Sequence, residues 1–213
     1  MKNLIQITLF LIACANAVFA GEYESAMSAA IEKLNTANAL SAYLESAAAF
    51  ERIGEAEKDQ WLPYYYAGLS YIWVSHAVKE GEKVDEYLEK AQFFVDKAKN
   101  LSPKNDEIVT LQGYIYMMKV VVDPPSRGPE FSRLAMQEFG RAVGMNQKNP
   151  RALLLLGKMK MGTDQFFGND LSESCRMISN AAHMFENYKA KSAIDPAWGK
   201  AMADMFVTEC ESN

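Results

Sequence analysis

The sequence predicts an all-α protein built from stacked helical hairpins, and three observations carry that prediction. Apolar residues recur every three or four positions through most of the chain, which is the period of a helix with one buried face. No segment shows the alternation of apolar and polar residues that is typical of a half-buried strand. Small residues also recur at helical spacing on successive segments, and tightly crossed antiparallel helices require them because larger side chains would hold the backbones apart.

The clearest hairpin of the chain runs from Pro63 to Pro103. Its first helix carries Ala67, Gly68 and Tyr71, and its second helix carries Ala91, Val95 and Ala98. This spacing resembles the tetratricopeptide repeat, which has a small pair with glycine and then tyrosine on its first helix, and alanines around a large apolar residue on its second. The resemblance implies a helical solenoid used as a docking surface, and it leaves the identity of the partner open.

The same spacing recurs in register along the chain. A residue of a second helix precedes the glycine of the next first helix by 15 positions in three pairs, Ile53–Gly68, Ala98–Gly113 and Ala142–Gly157. The three glycines lie 45 and 44 residues apart, against about 34 in the usual repeat. We therefore expect inserts in the turns between paired helices, at Ser75–Asp85 and Asp123–Pro129. The prediction is about four repeats with a C-terminal capping helix, and the alternative is an unrelated helical bundle.

The individual helices follow from local patterns. Tyr23, Met27 and Leu34 share one face of a first helix, and the alanine-rich stretch from Ala39 to Ile53 supplies its partner. Further helices are predicted at Trp61–Val78, Val84–Asn100, Asp106–Val122, Phe131–Met145, Arg151–Met161, Leu171–Lys189 and Pro196–Cys210, with a loop at Gly162–Asp170. Asp123-Pro124-Pro125 is expected to end the fifth helix, because proline lacks an amide hydrogen and restricts the residue before it. The first unit has Leu34 in place of glycine, as suits an atypical terminal repeat.

The N-terminal segment and the cysteines indicate export. Residues 1–20 are predicted to form a signal peptide, with Lys2, a short apolar run and small residues before cleavage after Ala20. Residues 21–213 then form one repeat domain, which we expect in the bacterial periplasm. The alternative is a lipobox at Leu11-Ile12-Ala13-Cys14, which would anchor the protein to a membrane through Cys14. Cys175 and Cys210 are predicted to form a disulfide, and the alternative is two buried free thiols.

The sequence carries no motif for catalysis, metal binding or nucleic-acid binding. The net charge is −5 and no Lys/Arg cluster is present, so no nucleic-acid partner is expected. His76 and His183 have no second histidine or cysteine at ligand spacing, and His76 is predicted as a solvated side chain at a helix end. Asp164 and Asp170 are better explained by helix capping than by acid–base chemistry. We expect no cofactor, and the twelve methionines are assigned to core filling rather than copper binding.

The resemblance to tetratricopeptide repeats also implies where a partner would bind. In that family the inner surface is lined by set positions around each first-helix glycine. On this chain they give the candidate partner-binding residues Tyr65, Leu69, Ile72, Tyr114, Met117, Arg151, Leu154 and Lys158. Such a wall of aromatic and aliphatic side chains, with two cations at one end, would take an apolar or amphipathic segment. Alternatively, the C-terminal helix, with Trp198, Met202 and Met205, folds back and covers part of it.

These patterns favour a non-enzymatic protein-binding or peptide-binding module of the bacterial envelope. Two alternatives stay open. One is a structural scaffold that is tethered to the membrane through Cys14. The other is a hydrolase or transferase with its site in the inserts between helices, around His76 or Phe166–Asp170. Contact with a membrane is expected only if Cys14 carries lipid.

Overall fold

The computed structural model of the protein describes residues 21–212. The predicted signal peptide and the predicted lipidation site at Cys14 lie outside the described residues. Within residues 21–212 the chain forms nine helices and no strand. The helices are α1 (21–36), α2 (Leu40–Ala56), α3 (Trp61–Ala77), α4 (Gly81–Leu101), α5 (Asp106–Val122), α6 (Pro124–Met145), α7 (Pro150–Phe167), α8 (Ser172–Asn187) and α9 (Lys200–Glu211).

Consecutive helices pack against one another as hairpins. The most extensive packing joins α5 with α6, α3 with α4, α2 with α3, and α7 with α8. The first helices of neighbouring hairpins also touch, since α3 contacts α5 and α5 contacts α7. The chain ends with α9 packed on α8. The predicted fold class, a helical-hairpin solenoid with a C-terminal capping helix, is confirmed.

The three glycines of the predicted register lie where paired helices cross. A Cβ atom on Gly113 would lie 2.6 Å from the ring of Phe139 on α6. A Cβ atom on Gly68 would lie 3.0 Å from Val95 on α4, and one on Gly157 would lie 3.0 Å from Ile178 on α8. A larger residue at these positions would push the helices apart, so the small residues set how closely each hairpin closes.

The prediction of inserts in the turns at Ser75–Asp85 and Asp123–Pro129 is wrong, because most of these residues belong to the adjoining helices. α3 runs to Ala77 and α4 begins at Gly81, so only residues 78–80 separate them. Asp123–Pro129 does not form an open turn, since α6 begins at Pro124. The side chain of Asp123 caps α6 by accepting a hydrogen bond from the Ser126 amide. Prolines in the first helical turn cost no hydrogen bond, because the amides there have no partner within the helix.

The predicted loop at Gly162–Asp170 is also largely helical. α7 continues to Phe167 and ends at Gly168, which has a left-handed φ of 67°. Glycine is the residue that adopts this conformation at no steric cost. Asp170 accepts a hydrogen bond from the Ser172 amide, but it lies one residue before Leu171, which is the N-cap of α8. Asp164 lies inside α7 and pairs with Lys160 at 3.1 Å, so the predicted capping role is wrong for Asp164.

The predicted disulfide is confirmed, and it joins α8 to the C-terminal helix. Cys175 and Cys210 are bonded, with their Cα atoms 5.6 Å apart and a separation of 35 positions in sequence. Such a bond is typical of proteins in oxidising compartments. In the described part of the chain, no helix is both long and apolar enough to cross a bilayer.

Candidate functional site

A groove with a volume of about 1190 Å³ lies along the inner side of the helical stack. Its walls come from seven helices, α1, α2, α3, α5, α6, α7 and α9, and from the turn after α1. The lining residues are Leu34, Asn35, Ala37, Tyr43, Trp73, His76, Ala77, Tyr114, Met117, Met118, Val120, Val121, Pro124, Pro125, Gly128, Pro129, Ser132, Lys158, Met159, Gly162, Thr163, Phe166, Phe167, Met202, Met205 and Phe206. Most of these side chains are aliphatic, aromatic or thioether groups, so the groove suits a large apolar ligand.

One polar pair lies on the wall formed by α3 and α5. His76, in the last turn of α3, has its Nε2 atom 3.0 Å from the hydroxyl oxygen of Tyr114 on α5. The His76 ring remains accessible, yet burial among its neighbours lowers its pKa below the usual value. Burial raises the pKa of the Tyr114 hydroxyl well above its usual value. Both groups are therefore neutral near pH 7 and form a fixed polar point on an apolar wall.

Lys158 is the only permanently charged residue among the described residues that line the groove. Its ammonium group on α7 lies 2.7 and 2.6 Å from the two carboxylate oxygens of Glu209 on α9. It also lies 4.8 Å from the centre of the Phe206 ring. Because the Lys158 side chain is only 24% exposed, its charge is screened less by water than that of a surface lysine. The groove therefore offers one cation to an acidic ligand group, in competition with Glu209.

The C-terminal part of the chain forms one side of the groove. Trp198 stacks on Tyr114 with ring centres 6.1 Å apart, and its indole N–H donates a hydrogen bond of 2.8 Å to the Tyr65 hydroxyl. Gly199 follows with a φ of 110°, a conformation that favours glycine, and starts α9. α9 then contributes Met202, Met205 and Phe206 to the lining. The helix therefore builds a wall and leaves the groove open.

The eight predicted partner-binding residues divide into two sets. Tyr114, Met117 and Lys158 line the groove. The other five, Tyr65, Leu69, Ile72, Arg151 and Leu154, are fully buried directly behind it. Trp198 covers the Tyr65 hydroxyl, and Tyr188 lies over the Arg151 guanidinium at 4.4 Å from the ring centre. Contact of these eight residues with a partner stays a prediction, and the buried five support the wall.

Behind the groove, Arg151 is held by a buried network that ties three parts of the chain together. Its Nε and Nη2 atoms donate to the Glu107 carboxylate at 2.7 to 3.1 Å, and Nη1 donates to the Trp198 carbonyl at 3.2 Å. Burial alone would lower the pKa of Arg151, but the adjacent carboxylate raises it. This ion pair fixes the segment that carries Trp198 against α5 and α7, and it therefore positions one side of the groove.

Sequence patterns did not indicate most of the lining residues. Trp73, Met118 and Met159 have no feature that separates them from core residues at helical spacing. His76 lies at a helix end as predicted, but it is turned into the groove and paired with Tyr114. The sequence places the prolines at the start of α6 in an insert between paired helices, whereas Pro124, Pro125 and Pro129 line the groove. Within the described residues, no group of three or more histidine, cysteine or acidic side chains is arranged to hold a metal ion.

Comparison with known proteins supports the fold. No family model matches the chain, and no curated protein sequence matches it. Among solved structures, the HusA haemophore from Porphyromonas gingivalis is similar, with a TM-score of 0.80 and 22% sequence identity. The match covers 89% of this chain and 93% of the other. At this identity the two proteins share an all-helical, repeat-like fold, and the tetratricopeptide assignment stays a resemblance.

Proposed function

We propose that this protein is a non-enzymatic binding protein that holds a tetrapyrrole, a large and flat apolar ring with acidic substituents, in the groove. The observation that carries the proposal is the groove itself, which has about 1190 Å³ of space, an almost uncharged lining and a single cation. A volume slightly above the roughly 300–1,000 Å³ of common ligand pockets suits a ligand of this size. The structural neighbour supports the same ligand class, since HusA is named a haemophore.

The energetics of such a site follow from its lining. Burial of apolar surface contributes about 25 cal/mol for each Å² removed from water, so a wide apolar ring gains most of its affinity from contact with the walls. Aromatic lining residues such as Trp73 and Phe206 add stacking partners for a flat ring. Lys158 orients the ligand by pairing with one of its carboxylates. The ligand carboxylate then shares the ammonium with Glu209 or replaces it.

A second candidate is a protein or peptide partner, such as an amphipathic helix. It is favoured by the exposed apolar residues at the edge of the groove, since Phe166, Phe167 and Met205 are 67%, 69% and 58% exposed. These side chains extend the apolar surface beyond the cavity, as a macromolecular contact would require.

For either ligand we propose an exported protein, in keeping with the disulfide. Its place in the periplasm, or on the membrane through Cys14, stays a prediction.

Two matched glycine variants test whether the groove is the binding site. Gly162 lines the groove on α7, Gly140 lies on the exposed side of α6 outside it, and a Cβ atom on either would meet no other atom within 4 Å. Gly162→Phe therefore places a ring in the groove without touching the core, and Gly140→Phe adds the same ring elsewhere. Both changes remove a helical glycine, so the free energy of unfolding should not fall.

The assay is titration of the purified protein with haemin and with metal-free protoporphyrin IX, followed by quenching of tryptophan fluorescence. Trp73 lines the groove and Trp198 stacks on its wall, so a bound porphyrin would quench both. We expect Gly162→Phe to lose at least about tenfold in affinity for both compounds, or about 1.4 kcal/mol of binding free energy, and Gly140→Phe to bind like the wild type. Equal binding by the wild type and Gly162→Phe would exclude the groove. If the wild type binds neither compound but captures a protein partner from envelope extract, and Gly162→Phe does not capture it, the peptide alternative is favoured.

A further inference from the structure

His76 is chemically unlike every other group in the groove. The chain has two histidines, and only His76 lines the groove. His183 lies on the outer side of α8, with its side chain 77% exposed and 3.6 Å from Glu186. The cysteines Cys175 and Cys210 are joined as a disulfide, so they offer no thiolate. His76 therefore carries the one strong nitrogen donor for a metal among the described lining residues.

The pairing with Tyr114 gives the imidazole access to a tautomer that is suited to metal binding. Its Nε2 lies 3.0 Å from the Tyr114 hydroxyl, and within the described residues its Nδ1 has no hydrogen-bond partner. When Nε2 carries the proton and donates to the Tyr114 oxygen, Nδ1 keeps a free lone pair. Histidines that bind metals commonly donate their other ring N–H to a neighbouring oxygen, which fixes the ring and its tautomer. Tyr114 is therefore placed as the orienting partner.

Tyr114 is a poor metal ligand in its own right. It is 1% exposed, and Trp198 stacks against its ring. A tyrosine binds iron as the phenolate, and burial raises the pKa of this hydroxyl far above its usual value. His76 is the accessible member of the pair, and the surroundings that lower its pKa keep the imidazole neutral, as metal binding requires.

We infer that His76 binds the metal of a metallated tetrapyrrole as an axial ligand, with Tyr114 as the positioning residue, so that the groove prefers the iron-bearing ring over the metal-free ring. This inference rests on the proposed function and deepens it. The apolar walls bind either ring, and the imidazole supplies the additional selectivity for the metal. No bond within the ring is made or broken, because the histidine donates its lone pair to an open coordination position of the iron.

Haemin and metal-free protoporphyrin IX are the probes, and the absorption spectrum and electron paramagnetic resonance of bound haemin report its axial ligand. The variants are His76→Ala, Tyr114→Phe and, as the matched control, His183→Ala. We expect the wild type and His183→Ala to give the spectrum of nitrogen-ligated haemin. His76→Ala should lose that spectrum and regain it on addition of free imidazole. Tyr114→Phe should keep the nitrogen-ligated spectrum while binding haemin roughly tenfold more weakly, as expected for loss of an orienting hydrogen bond.

Metal-free protoporphyrin IX separates a failure of this inference from a failure of the proposed function. We expect His76→Ala to lose at least about tenfold more affinity for haemin than for metal-free protoporphyrin IX, because only haemin offers a metal to the imidazole. An unchanged haemin spectrum in His76→Ala would overturn the inference and leave the groove intact as a binding site. Equal losses for the two probes would also overturn it, because His76 would then act only as part of the wall. If the wild type binds neither compound, the proposed function fails and the inference fails with it.

Discussion

The most informative stability prediction concerns the buried ion pair behind the groove. Arg151 is fully buried and the Glu107 side chain is 12% exposed, so replacing Arg151 with methionine leaves a carboxylate in a site that excludes water. Glu107 would retain Asn149, which donates at 3.0 Å, and Tyr65, which donates at 3.2 Å. Removing one partner of a buried pair typically costs about 3–5 kcal/mol. We expect Arg151→Met to lower the free energy of unfolding by that amount.

Urea unfolding followed by circular dichroism measures this loss directly. The double variant Glu107→Leu with Arg151→Met removes both charges, so we expect it to be more stable than Arg151→Met alone. The surface pair Lys33–Glu45 serves as the control, because its side chains are 49% and 63% exposed. Lys33→Met should change stability by less than about 1 kcal/mol. Two results would contradict this account of how the network holds the C-terminal segment. The free energy of unfolding of Arg151→Met could lie within about 1 kcal/mol of the wild-type value, or the double variant could be less stable than Arg151→Met.

Three further predictions follow from the hairpins and the groove. Replacing Cys175 and Cys210 with serine opens a loop of 35 residues and should cost about 4 kcal/mol in the chain-entropy model, measured as the free energy of unfolding. Gly113→Ala places a methyl group 2.6 Å from the Phe139 ring and should cost about 1–3 kcal/mol in the same assay. Lys158→Met should weaken binding of protoporphyrin IX by about threefold to tenfold, as expected for a partly exposed ion pair, and leave binding of its dimethyl ester unchanged.

Each of these predictions has an outcome that would contradict it. Stability unchanged by removal of the disulfide would mean that α9 is held by packing alone. Gly140→Ala is the control for Gly113→Ala, since its Cβ atom meets open space and the change should stabilise the protein by up to about 1 kcal/mol. If Gly113→Ala is stabilising as well, α5 and α6 do not cross as closely as described. If Lys158→Met loses equal affinity for protoporphyrin IX and for its dimethyl ester, the charge of Lys158 does not pair with a ligand carboxylate.

The helical pairs were predictable from the sequence because their signals are local. Gly68, Gly113 and Gly157 mark helix crossings that recur at similar intervals, and those intervals fix which helices pair. The disulfide followed from the presence of two cysteines in the predicted mature chain. The inserts were not predictable as helix, because prolines such as Pro124 and Pro125 start a helix as readily as they end one.

The groove was only partly predictable, since its shape depends on contacts between distant parts of the chain. Tyr114, Met117 and Lys158 were found because the resemblance to tetratricopeptide repeats implies that these positions around each first-helix glycine face the inner side. Tyr65 was assigned to the same face, and it is covered by Trp198, which lies 133 residues later in sequence. No local pattern shows where that segment docks. His76 belongs to the groove for a similar reason, because only the packing of α3 against α5 brings it to Tyr114.

The most direct test of the binding account is carbon-13 NMR of the methionine methyl groups during titration with zinc protoporphyrin IX, which is diamagnetic. Five methionines of the described residues line the groove: Met117, Met118, Met159, Met202 and Met205. Met27 lies in the core on α1, and Met145 lies at the exposed end of α6. The account predicts large ring-current shifts for the five groove methyl groups and none for Met27 and Met145. Shifts at Met145 with none at the groove methionines would contradict it.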